Sequence, residues 1–164
     1  MTTPWLIDTN ILIYSYDETQ ELHPLSYTFL EHAFSGHISA LIAHQNLLEF
    51  LAVATNPKRV EHPLTPDEAL EKIAVYTANL SLISPLAKTF FTFTDLFSRY
   101  PSIRERVFDL YLVATALDNG ITQICTWNVA HLKKISELTV KTPEEILTSL
   151  ENTLQVGSRN GELH

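Results

Sequence analysis

Five short apolar runs, separated for the most part by stretches with helical spacing, constrain this chain more than any other feature. The runs are 4–8, 38–42, 80–84, 122–126 and 138–141, and the helical patterns are 10–16, 24–35, 44–55, 66–79, 86–98, 104–119 and 143–150. Parallel strands need a crossover long enough to hold a helix, and strands buried on both faces read as continuous apolar runs. The alternation therefore predicts an α/β fold, a three-layer α/β/α sandwich around a central five-stranded, mainly parallel sheet. With 164 residues, 45% of them hydrophobic, the chain suits one core. Residues 1–150 are expected to form that domain and 151–164, which lack apolar periodicity, a frayed C-terminal tail.

Local chemistry marks several boundaries. Thr65-Pro66-Asp67-Glu68 and Thr142-Pro143-Glu144-Glu145 place proline and acids at helix starts, where the missing N–H costs nothing and negative charge meets the positive helix end. Asn119-Gly120 closes a helix, and the segments 56–63 and 99–102 read as loops. No apolar run has bilayer length and Met1-Thr2-Thr3-Pro4 lacks the basic start of a signal peptide, so a cytosolic protein is expected. The lone Cys125, within Ile124-Cys125-Thr126, reads as a small core filler.

The net charge of −8, from 11 basic and 19 acidic residues, argues against binding phosphate through a general basic surface. Acids gathered around a cation escape that objection, because the cation itself meets phosphate. The basic residues also cluster locally, at Lys58-Arg59, at Arg99 with Arg104 and Arg106, and at Lys133-Lys134.

Three acids stand out by their surroundings. Asp8 ends the first apolar run, Pro4-Trp5-Leu6-Ile7, where a parallel strand delivers its last residue to the rim of the sheet. Glu49 is a single carboxylate among Leu47, Leu48, Phe50, Leu51 and Val53, and Asp109 is another among Val107, Phe108, Leu110 and Leu112. Glu49 on a narrow solvated face and Asp109 as a helix-start charge are the plain structural readings. Three such acids together instead suggest convergence on a hard divalent cation, because unpaired carboxylates repel and raise one another's pKa. Oxygen ligands without thiolates favour Mg²⁺ or Mn²⁺ over zinc, and the reaction that follows is phosphodiester hydrolysis.

On Asp8-Thr9-Asn10, Glu49 and Asp109-Leu110-Tyr111-Leu112-Val113-Ala114-Thr115-Ala116, the chain resembles the PIN-domain family, especially the VapC-type toxins of bacterial toxin–antitoxin pairs. The likeness spans roughly residues 4–150. It implies a metal-dependent ribonuclease whose first strand lies mid-sheet, putting Asp8 between the segment of Glu49 and that of Thr126-Trp127-Asn128. It further implies that Asp8, Glu49 and Asp109 hold Mg²⁺ or Mn²⁺, that Thr9 and Asn10 orient the first acid, and that Thr126 matches the family's threonine after the fourth strand. Asn128 stands at a fourth acidic position and would orient the attacking water or the phosphate, while His131 replaces an aspartate common among relatives. The lost charge speaks against a tightly held second metal. Lys58, Arg59 and Arg104 or Arg106 are the expected RNA contacts. Homodimerisation and capture by a cognate antitoxin also follow from the resemblance.

Two other readings compete. A haloacid-dehalogenase-like phosphatase also ends its first strand on an aspartate but needs a second acid two residues on, where this chain has Asn10. A non-catalytic PIN-like binding module is the other. The seven histidines show no paired ligand spacing, and Phe90, Phe91, Phe93, Phe97 and Tyr100 read as helix core or subunit contact rather than a base-stacking platform.

Overall fold

All five strands pair in parallel, in the order β3-β2-β1-β4-β5. They are β1 (Trp5–Ile7), β2 (Ala40–Ala43), β3 (Ser81–Ile83), β4 (Gln123–Cys125) and β5 (Thr139–Lys141), each shorter than its apolar run. This computed structural model describes residues 2–161, the side chains at 104, 105 and 159–161 excepted.

The two-residue period of the strands builds the layers. Leu6, Leu41 and Ile124 pack into one buried cluster with Leu96, Leu110 and Val113. Their neighbours Ile7, Ile42 and Cys125 point the other way, into a cluster with Leu12, Phe29, Phe50 and Tyr76. The second face carries α1 (Thr9–Tyr16), α2 (His23–Phe34), α3 (His44–Ala54), α4 (Pro66–Asn79) and α8 (Pro143–Gly161), whereas α5 (Thr89–Arg99) and α6 (Val107–Asp118) cover the first. Fully burying each large side chain contributes about 2 kcal/mol, so neither layer is dispensable.

The chain winds outward from β1 through β2 to β3, then returns to lay β4 on the other side of β1. The carboxyl ends of β1 and β4 therefore flank the point where the winding reverses, the place where open α/β sheets bind ligands. Asp8 follows β1 and Thr126 follows β4.

Several boundaries differ from expectation. The helix expected at 104–119 is α6 alone, preceded by a 3₁₀ turn (Pro101–Arg106) that Pro101 opens and that takes up part of the loop expected at 99–102. The short α7 (Val129–Leu132) has too few residues to leave a period in the sequence. The helix expected at 143–150 continues as α8 to Gly161 with 151–158 exposed; 162–164 lie outside the described residues. A reciprocal cap starts α4: Thr65 accepts from the Glu68 amide at 3.3 Å while Glu68 accepts from the Thr65 amide at 2.7 Å. Gly120 adopts φ 76° after α6, as the Asn-Gly stop requires. No helix of the described residues is long and apolar enough to cross a membrane.

Candidate active site

Asp8 caps α1, accepting from the Thr9 amide at 2.7 Å through Oδ1. Its other oxygen accepts from the Thr126 hydroxyl, also at 2.7 Å. Thr126 is fully buried and is itself fixed by Asn10 Nδ2 at 3.1 Å and the Asn128 amide at 3.0 Å. Asn10 Oδ1 accepts from the Trp127 amide at 3.3 Å, so Asn10 ties β1's end to β4's end and acts on Asp8 through Thr126.

Thr9 reaches the other way. Its hydroxyl donates to Glu49 Oε2 at 2.9 Å and accepts from Asn46 Nδ2 at 3.2 Å. Asn46 is fully buried and accepts from the Ala43 amide at 2.8 Å, which closes the turn between β2 and α3. Gln45 Nε2 holds Glu49 Oε1 at 2.6 Å and also donates to the Phe108 carbonyl at 2.8 Å, linking α3 to the start of α6. Asp109, in the first turn of α6, accepts from Arg106 Nη1 at 3.0 Å.

A cleft of about 780 Å³ gathers these groups: Asp8, Thr9, Asn10, Glu49, Asp109 and Asn128 all line it. Its walls also carry Gln45, Leu48, Arg59 and Phe108. Burial pushes the Asp8 carboxyl up to about 6, with the charges of Asp109 and Glu49 adding to it and the Thr126 and Thr9 hydrogen bonds opposing it. A carboxyl so placed is where a cation would relieve most. Among the described residues no three His, Cys, Asp or Glu side chains stand close enough together to hold a metal ion as they are placed. Glu49 is held by Thr9 and Gln45, and Asp109 by Arg106.

The structure sorts the sequence-predicted residues. Of the basic ones, Arg59 lines the cleft and makes no ion pair among the described residues, while Arg106 is paired with Asp109. Lys58 is exposed in the turn after α3 and is not a lining residue, and the Arg104 side chain lies outside the described residues. Of the aromatic group, Phe93 packs on the core, but Phe90 and Phe91 are exposed rather than core. Cys125 is a buried core residue as read. Sequence reasoning missed Gln45, Asn46 and Phe108; a buried asparagine on an apolar helix is the one signal that pointed to any of them.

A family model described as PIN domain matches residues 5–138. The chain belongs to the PIN-domain family. This PIN domain is 27% identical over 116 residues to ribonuclease VapC37 of Mycobacterium tuberculosis, covering 70% of this chain and 81% of that protein. Its fold matches VapBC2 from Rickettsia felis, a structure bound to a promoter DNA fragment, with TM-score 0.60 and 19% identity over 84% of this chain and 97% of that one. It also matches VapC20 of Mycobacterium tuberculosis, a sarcin-ricin-loop-cleaving toxin, with TM-score 0.60 and 10% identity, covering 79% and 94% of the two chains.

Proposed function

We propose that this PIN domain is a divalent-metal-dependent endoribonuclease and the toxin of a VapBC-type pair, acting in the cytoplasm. The observation that carries the reading is the set of three carboxylates on one cleft, with Asp8 at the reversal point of the sheet and its carboxyl pushed up by burial and by the other two. Family membership and the ribonuclease relative support it.

Asp8, Glu49 and Asp109 would hold Mg²⁺ or Mn²⁺, an ion that suits an all-oxygen donor set. When bound, the ion supplies charge neutralisation, polarisation of a phosphoryl oxygen and activation of water. The protein's part is preorganisation. Thr126 and the Thr9 amide fix both Asp8 oxygens, and Thr9 and Gln45 fix both Glu49 oxygens. Neither acid then loses much freedom on loading. Asn128 offers a neutral amide to water or phosphate, and Arg59 offers its guanidinium to a flanking phosphate from the cleft wall. A cognate antitoxin protein and a homodimer complete the assembly proposed.

The test is cleavage of RNA by the purified protein in Mn²⁺, in Mg²⁺ and in excess chelator, with end mapping of the products. Cleavage that needs the ion and is lost in Asp8→Ala and Asp109→Ala is expected. Parent-like cleavage by either variant would overturn the assignment.

A further inference from the structure

Each of the two helix-borne acids is preceded in the chain by a large apolar residue on the same cleft. Leu48 comes before Glu49 and Phe108 before Asp109, and all four line it. Leu48 is 68% exposed and Phe108 73% exposed, although the same helices bury Phe50 on the one and Leu110, Leu112 and Val113 on the other. Nor are they loosely hung. Gln45, one turn before Leu48, donates to both Glu49 and the Phe108 carbonyl, so a single side chain sets the two apolar groups and an acid in one frame.

A phosphate placed at the acids carries a sugar and a base with it, and the base must go somewhere within one nucleotide of the site. A base offers a flat apolar face that stacks on aromatic rings whatever its identity, provided that it is not already stacked in a duplex. We infer that Phe108, with Leu48 on the same cleft, is a nucleobase-stacking subsite that seats the unpaired base next to the cleaved phosphodiester. This rests on the nuclease reading and adds to it a place for the base beside the phosphate. Continuity with the acidic cleft favours a nucleotide as the occupant, because a phosphate drawn to a cation held by the acids brings its own base within one nucleotide of Phe108.

The test uses the full chain with Phe108→Ala and Phe108→Trp, on an RNA whose cleavage position has been mapped and on the same RNA made abasic at either flanking nucleotide. Loss of one stacked base predicts a kcat/KM about five- to a hundredfold lower for Phe108→Ala. The tryptophan variant should stay near the parent, and the Mn²⁺-induced thermal shift should be unchanged in both. One abasic position should lower the parent to the level of Phe108→Ala and cost that variant nothing more. Parent-like kinetics in Phe108→Ala, or losses from variant and abasic site that multiply, would overturn the subsite. So would a Phe108→Ala variant that keeps RNA cleavage but no longer binds a co-expressed protein partner. If the parent cleaves no RNA, the nuclease reading falls separately. The subsite is then decided by binding of labelled intact and abasic oligonucleotides in Mn²⁺, where equal affinity for the two refutes it.

Discussion

Arg106 donates to Asp109 at 3.0 Å across the junction between the 3₁₀ turn and α6, so one of the three site acids already has a cation of its own. A metal that takes Asp109 must compete with that pair. Both side chains are more than a third exposed, which keeps the pair in the range of about 0.5–1 kcal/mol. Arg106→Met should therefore bind Mn²⁺ roughly two- to fivefold more tightly. Titration of the thermal shift with Mn²⁺ measures this, and weaker binding would mean that Arg106 orients Asp109 instead of competing for it.

The raised carboxyl of Asp8 predicts how the metal-free protein responds to pH. Its pKa is about 6 in the fold against 3.8 ordinarily, so between those values the folded state holds more proton than the unfolded one. Stability must then fall as pH rises through about 4 to 6 and level off above. A shift of this size is worth about 3 kcal/mol. Denaturant melts in chelator across that window should show the decline in the parent, and Asp8→Asn should flatten it. Mn²⁺ stabilisation should grow over the same window as the carboxylate forms.

Asn46 is the hidden brace of the site. Replacing it with leucine leaves the Ala43 amide without its partner and removes a donor from the Thr9 hydroxyl. The expected cost is about 2–3 kcal/mol, seen as a melting temperature lower by roughly 5–10 °C. Because Thr9 then orients Glu49 less firmly, the Mn²⁺ shift should shrink as well. A variant that melts lower but keeps the full shift would separate the brace from the site.

Asn128 lines the cleft with a neutral amide. Asn128→Asp adds a fourth carboxylate facing Asp8, Glu49 and Asp109, which should create or tighten a second Mn²⁺ site and raise the stoichiometry seen by calorimetry. An unchanged titration would show that this position is outside ligand reach.

The three acids were legible because each interrupts an apolar pattern, and an interruption is visible without knowing what it faces. The central place of β1 was legible only through the family resemblance; alternation alone says parallel but not which strand is central. What joins the acids was not legible. Gln45 and Phe108 are 63 residues apart, and their bond is between a side chain and a carbonyl that any residue would offer. The exposure of Phe108 was equally hidden, since Leu110, Leu112 and Val113 further along α6 are core. The end of α8 is hidden for a different reason: periodicity reports burial, and that helix extends beyond what it buries.

The enclosure of Asp8 makes this fold carry a standing conflict between endurance and chemistry. The same carboxylate that occupies the reversal point of the sheet weakens the empty protein at neutral pH. A library selected for heat resistance in chelator would therefore enrich replacements of Asp8, and under the proposed function its hardiest survivors would be inert. If Asp8 holds Mn²⁺ as proposed, selection carried out in that ion would keep the aspartate, so the ion present during evolution in the laboratory decides whether robustness and activity part company.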